Sequence, residues 1–255
     1  KQSNFFFSKI FKNYQRIFLF GWVYLFVREA HNLIKKIKYF GRSQKKNNLF
    51  LNTKKYSVFE DLKQINNHQI FLKQLSNRII SKNEINNLRS HKKTFLLIAA
   101  HLQPEASSFP EGDKYYNHID IAMTLRRKNY DSQILYKEHP GIYKYLDQSI
   151  GLTKIGISRS ANYLKLLKEL GCIFLPTSFN LSVVDDNSWY VPITITGTIA
   201  IERSLLGLHT IYTGNPWYKG LPGTTHIDDI ECLKEIPKEW SKIDESIKKD
   251  AKIFM

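Results

Sequence analysis

Cysteine is almost absent from this chain. Cys172 and Cys232 stand alone, far apart and without the spacing of metal ligands. Two lone thiols exclude a disulfide framework and fit a reducing compartment. A membrane-crossing run is missing as well: the apolar stretch 17–27, bounded by Arg16 and Arg28, has eleven residues, and a helix needs about 20 to span a bilayer. No secretory signal is visible. Lys1 stands where an initiator Met is expected, so the chain is read as a fragment or a processed form.

Acidic residues are scarce in one part only. Up to Lys93 there are 20 Lys and Arg against 4 Asp and Glu, a balance of +16; from Thr94 onward there are 18 against 19, a balance of −1. A protein built for nucleic acid usually carries its basic residues around the binding surface. Here the part with recognisable chemistry is near neutral, and no nucleic-acid module is present, so nucleic acid is not expected as a partner. Two readings of the basic part stay open: a solvated lysine-rich surface, or attraction to an anionic membrane leaflet or an acidic acceptor. The run 17–27, with Phe5, Phe6 and Phe7 before it and Lys35, Lys36 and Lys38 after it, is able to lie on a membrane surface. A buried helix of a truncated domain is preferred, because the aromatic residues occur all round the helix.

Residues 1–93 read as a basic, mainly helical segment low in Gly and Pro. The Lys and Asn pairs at 45–48, 66–67 and 86–87 are expected to connect helices. At Thr94 the pattern changes. Residues 95–100 (FLLIAA) form a short continuous apolar run, the mark of a strand buried on both faces. Further strands are expected at 132–136, 172–175, 191–195 and 209–212. Helices are expected at 119–128, at 161–170 with Gly171 as its cap, and from residue 198 to Leu206. Strands alternating with helices imply a parallel sheet, whose ligands bind beyond the strands' carboxyl ends. The fold class is therefore α/β, a Rossmann-like domain over 94–255 preceded by the helical segment 1–93.

The polar motifs fall on that rim. Thr196, Gly197 and Thr198 open a helix directly after a strand, where backbone N–H groups and the helix dipole favour a phosphate; Thr is also a routine helix cap. Glu202 lies one turn further on the same face, placed either to accept hydrogen bonds from a ribose or simply to be solvated. Lys137, Glu138, His139 and Pro140 end another strand. The Pro is expected to hold the chain extended there, leaving His139 to donate to a phosphate oxygen and Lys137 to supply a point charge. His101, Gln103 and Glu105 follow the first strand, with Glu105 the best-placed carboxylate for nucleophilic or general-base work; spacing alone favours a plain loop acid. Asp185 and Asp186 are assigned to a solvated loop.

The ordered set Gln103-Pro104-Glu105, Lys137-Glu138-His139-Pro140 and Thr196-Gly197-Thr198 with Glu202 resembles the capsule polysaccharide biosynthesis family. That family includes retaining β-Kdo transferases, which share a His-Pro motif with some bacterial sialyltransferases. The resemblance covers roughly residues 94–218. It implies the C-terminal, nucleotide-sugar half of a GT-B fold and a metal-independent glycosyltransferase with no cofactor. The donor would be a nucleotide-sugar, CMP-Kdo in the first place, and the acceptor a glycan or glycolipid. His139 and the turn 196–198 would hold the donor phosphate, with Gln103 and Lys137 beside it and Glu202 at the nucleotide's ribose. Glu105 would act at the anomeric centre, although its spacing from Gln103 is shorter than the family's and a Glu replaces an Asp. The implied location is the cytoplasm, at the inner face of the membrane. The family's acceptor domain is itself an α/β unit, whereas residues 1–93 show no alternating strands. That difference keeps a second expectation alive: a non-catalytic relative that binds a nucleotide or glycan and assists polysaccharide assembly or export. An epimerase of the same architecture is a further alternative.

Overall fold

The computed structural model describes residues 58–91, 93–103, 110–142, 159–181 and 189–255. The apolar run 17–27, the Lys/Asn pairs at 45–48, Glu105, Asp185 and Asp186 lie outside the described residues.

Two helices come first, α1 (Val58–Ser76) and α2 (Lys82–Ser90). The pairs Asn66–Asn67 and Asn86–Asn87, expected as connections, sit inside these helices. Asn is only a mild helix breaker, and its cost is overridden where one face of a helix is buried. Phe71, Leu72 and Leu75 supply that face in α1, and Ile85 supplies it in α2. Helix α2 starts with a reciprocal cap: the Ser81 N–H donates to Glu84 at 2.7 Å, and the Glu84 N–H donates to Ser81 Oγ at 3.3 Å.

Six strands follow, all parallel: β1 (Phe95–Ala99), β2 (Ile134–Lys137), β3 (Cys172–Leu175), β4 (Tyr190–Thr194), β5 (Thr210–Tyr212) and β6 (Thr224–His226). Their order is β3-β2-β1-β4-β5-β6, so the winding direction reverses between β1 and β4. Every residue of β1 and β4 is buried, as expected of central strands covered on both faces. Helices α3 (His118–Arg127), α4 (Ala161–Glu169) and α5 (Ile199–Leu205) occupy the crossovers, and α6 (Glu245–Phe254) closes the chain. Strand β6 and helix α6 are not among the expected elements; β6 is three half-buried residues at the sheet edge, and α6 is an amphipathic helix capped by Asp244.

Gly171 follows α4 at φ +78°, so the backbone there favours glycine, and a Cβ would have to displace the Arg126 guanidinium, whose Nη2 would lie 2.3 Å away. The division expected at residue 93 is not a break in the core. Phe71 and Leu75 belong to one apolar cluster with Ile98, Leu164 and Phe174, and Ile79 forms an isolated parallel bridge with Phe174. The end of the basic segment is thus part of the α/β unit.

Candidate functional site

The exits of β1, β2 and β4 converge where the sheet reverses direction, the place at which open α/β sheets receive ligands. A cavity of about 180 Å³ opens there, lined among others by His101, Lys137, His139, Thr194, Gly197 and Thr198. Whole-ligand pockets run from about 300 Å³ upward, so this one suits a single chemical group of a larger molecule. No carboxylate lines it among the described residues.

His101 organises the β4 exit. Its Nε2 lies 2.8 Å from Thr194 Oγ1 and accepts the Ile195 N–H at 3.3 Å. Since that nitrogen accepts, it carries no proton, and the Thr194 hydroxyl donates to it as well. The Gly197 N–H then donates to Thr194 Oγ1 at 3.0 Å. Burial drives the His101 imidazole down to about 4, with His139 and Arg159 acting in the same direction. A neutral ring is what the hydrogen bonds demand. Behind it, the wholly buried His118 accepts the His101 N–H at 3.1 Å.

This chain of bonds changes what Gly197 contributes. Its N–H is turned inward to Thr194, so its gift to the cavity is space. A Cβ at Gly197 would lie 2.5 Å from Thr194 Oγ1 and 3.2 Å from His101 Nε2. Thr198 starts α5 without a side-chain cap; its hydroxyl donates to Glu202 Oε1 at 3.2 Å. Glu202 is exposed on the same helical face and is not part of the cavity wall. Thr196 is also not part of that wall, and packs towards Gly214 on the β5 exit.

Lys137 is the last residue of β2, only 9% exposed, and its ammonium is pushed below the usual lysine range by burial. A cation held this far from water is short of solvation, so an anion entering the cavity would meet it at low dielectric. His139 stands half-buried beside it. Its Nδ1 accepts the Gly141 N–H at 3.0 Å, which leaves the neutral ring's proton on Nε2, a donor. Gly141 makes this approach possible: a Cβ there would be 2.8 Å from His139 Nδ1. The extended exit expected from Pro140 is brief, because residues 140–142 turn at once and the Ile142 N–H donates back to the His139 carbonyl at 3.0 Å. A proline constrains the residue before it and leaves the residues after it free to turn.

Two residues to which the motifs assign no role hold this rim together. Glu138 and Arg159 form an ion pair at 2.9 Å with side chains 0% and 2% exposed. Glu138 also accepts from Tyr136 Oη at 2.8 Å and from the His139 N–H at 2.9 Å. Arg159 donates to the His101 carbonyl at 2.9 Å and to the Gln103 side chain. Burial opposes its charge, but Glu138 and the buried tyrosines more than compensate and keep it firmly protonated. Gln103 is thereby fixed at the β1 exit, outside the cavity wall, and its amide donates to the Tyr116 carbonyl. One guanidinium thus clamps the β1 exit to the β2 exit. No local pattern announces it, since Arg159 lies 21 residues from Glu138 and 58 from His101.

The chain is similar to the solved structure of KpsC from Thermosulfurimonas dismutans, a beta Kdo 2,7 transferase. Identity is 16%, the match covers 77% of this chain and 52% of that one, and the TM-score is 0.38. The chain therefore spans about half the length of that protein. No protein-family model matches the chain, and no curated protein matches it.

Proposed function

We propose that the cavity receives the phosphate of a nucleotide-activated sugar and that the chain carries the donor-binding part of a glycosyltransferase for capsular or other surface polysaccharide. The observation behind this reading is the convergence of Lys137, His139 and the Gly197–Thr198 turn on one small cavity at the sheet's reversal point, with no carboxylate in its described wall. In such a reaction the bond between the anomeric carbon and a phosphate oxygen breaks, and the nucleotide leaves with the electron pair. Charge then grows on that oxygen. The Lys137 ammonium and the His139 Nε2–H are placed to meet it without a metal. Glu202, tied to Thr198, is assigned to the ribose, and Gln103 to the sugar side. Glu105 is assigned as nucleophile or base, with CMP-Kdo as the donor and a glycan or glycolipid as the acceptor. No helix of the described residues is long and apolar enough to cross a membrane, and we place the protein in the cytoplasm against the inner membrane face.

A second reading, a non-catalytic relative that binds the donor or a glycan, is favoured by one observation: the described wall of the cavity offers a leaving-group site and no acid to attack or deprotonate. Calorimetric titration with CMP, and with UDP for comparison, tests the donor site on wild type, His139→Ala and Lys137→Met. CMP binding in the wild type, weakened tenfold or more in both variants, is expected. Lys137→Met should leave the urea midpoint unchanged or raise it, since it removes a buried charge of about the same shape. If the wild type binds neither nucleotide, the donor-site reading is wrong. CMP binding without turnover of CMP-Kdo would select the second reading.

A further inference from the structure

A second and larger recess, of about 650 Å³, opens over the exits of β5 and β6. Its floor is Thr213 and Gly214, the residues that follow β5, and one wall is the segment 110–115. These parts are stitched to the β4 exit. The Thr213 N–H donates to the Thr194 carbonyl at 3.0 Å, the Gly214 N–H to the Ile195 carbonyl at 3.0 Å, and the Asn215 N–H to the Glu111 carbonyl at 2.8 Å. A Cβ on Gly214 would lie 2.9 Å from Thr196 Cγ2. Thr196 therefore stands between the recess and the anion cavity, whose wall begins at the next residue.

The recess differs from the cavity in charge. Lys114 and Lys219 face four carboxylates, Glu111, Asp113, Asp228 and Asp229, a balance of −2. Asp228 is occupied by Lys114 at 2.8 Å and by the Tyr115 hydroxyl. What is left for a ligand is an excess of acceptors, which repels phosphate and carboxylate and suits hydroxyl groups. Thr213 adds a further signal. It is 2% exposed, and its buried hydroxyl has no hydrogen-bond partner, a state that folded proteins rarely leave without a ligand or water to complete it.

An aromatic face stands on the same loop. Trp217, flanked by the lining residues Asn215 and Lys219, is 73% exposed. Its ring rests edge-on against Tyr218 at 5.8 Å, and Tyr218 is itself buried and donates to the Gly197 carbonyl at 2.9 Å. A solvent-facing indole on the loop whose Asn215 and Lys219 line a recess of carboxylate, amide and hydroxyl groups matches the two faces of a pyranose: C–H on the flat side, hydroxyls round the edge.

We propose that this recess is a carbohydrate subsite for an uncharged sugar ring, stacked on Trp217 and read through Thr213, Asn215 and the carboxylates Glu111 and Asp229. The inference rests on the transferase reading only for the identity of the neighbouring anion as a sugar-nucleotide phosphate. The uncharged ring belongs to the acceptor glycan, or to the donor if the donor sugar is a neutral one in place of Kdo, and the test separates these sources.

Saturation-transfer NMR and tryptophan fluorescence would follow binding of maltotriose, chitotriose and N-acetyllactosamine, with Kdo and N-acetylneuraminic acid as acidic probes and UDP-glucose as a neutral donor. The probes are applied to wild type, Trp217→Ala, Thr213→Val and Lys137→Met. We expect a neutral sugar to bind and the acids to fail, with affinity falling tenfold or more in Trp217→Ala, an exposed position that leaves folding intact. Binding of a free oligosaccharide that survives Lys137→Met identifies the acceptor. Binding of UDP-glucose alone, lost in Lys137→Met, identifies the donor sugar. Either supports the subsite, and the first does so even if CMP and UDP fail to bind. Acidic sugars binding as well as neutral ones, no binding of any probe, or affinity untouched by Trp217→Ala would overturn it.

Discussion

Replacing Gly197 by alanine tests the hydrogen-bond chain that shapes the anion cavity. The added Cβ would stand 2.5 Å from Thr194 Oγ1, well inside contact distance, and 3.2 Å from His101 Nε2. The backbone at Gly197 is not in the left-handed region, so the whole cost is steric. The Thr194 side chain has to rotate away, breaking its 2.8 Å bond to His101 and its 3.0 Å bond from the Gly197 N–H. Each such bond is worth about 1 kcal/mol net. Alanine returns about 0.5 kcal/mol by restricting the unfolded chain, while residual crowding costs about as much, so the variant should lose about 2 kcal/mol. Urea unfolding measures this, provided the slope stays constant. Thr194→Ala supplies the control: it costs the same two bonds but clears the space, so adding Gly197→Ala to it should cost almost nothing further. The pair should thus be strongly sub-additive, a coupling of about 2 kcal/mol. A Gly197→Ala protein as stable as wild type, or a double variant whose losses simply add, would refute the arrangement.

Acid should destabilise the fold earlier than its carboxylates alone would suggest. His101 and His209 are both driven down to about 4 by burial, His209 being stacked on Trp240 at 4.1 Å. In the unfolded chain each titrates near 6.5, so between 6.5 and 4 the unfolded state binds more protons. Stability is then complete above 6.5 and falls with pH, by up to about 3 kcal/mol for each ring once pH reaches 4. Urea midpoints between pH 7 and 4.5 should drop steeply, and His209→Gln should flatten the curve; a flat wild-type profile would contradict this. Arg159→Ala leaves Glu138 charged and buried without its partner, and should cost about 3–5 kcal/mol. Arg159→Lys should not restore CMP affinity, because a single ammonium cannot span Glu138, the His101 carbonyl and Gln103 at once. Full recovery in the lysine variant would show that charge alone matters at this position.

Much of the sheet was legible because its signals are local. The run FLLIAA and its successors announced five of the six strands, and Gly171 the end of α4. The rim position of Lys137, His139, Gly197 and Thr198 followed from the strand-helix alternation. Errors arose where burial overrode local preference, as at Asn66–Asn67 and Asn86–Asn87. Strand β6 escaped notice because three residues at a sheet edge leave no periodic trace.

The sequence by itself determined the class of fold, the parallel sheet and the edge of it on which chemistry would gather, since alternation of buried strands and capped helices admits few topologies. Tertiary structure alone decided the inside of the site. His101 became a neutral acceptor because folding buried it against Thr194. Gly197 became a space-maker because its N–H turned inward, and Glu138 became the anchor of His139 because Arg159 arrived from far along the chain. Such roles depend on distances between segments and on exclusion of water. Neither is written in the order of residues along any one segment.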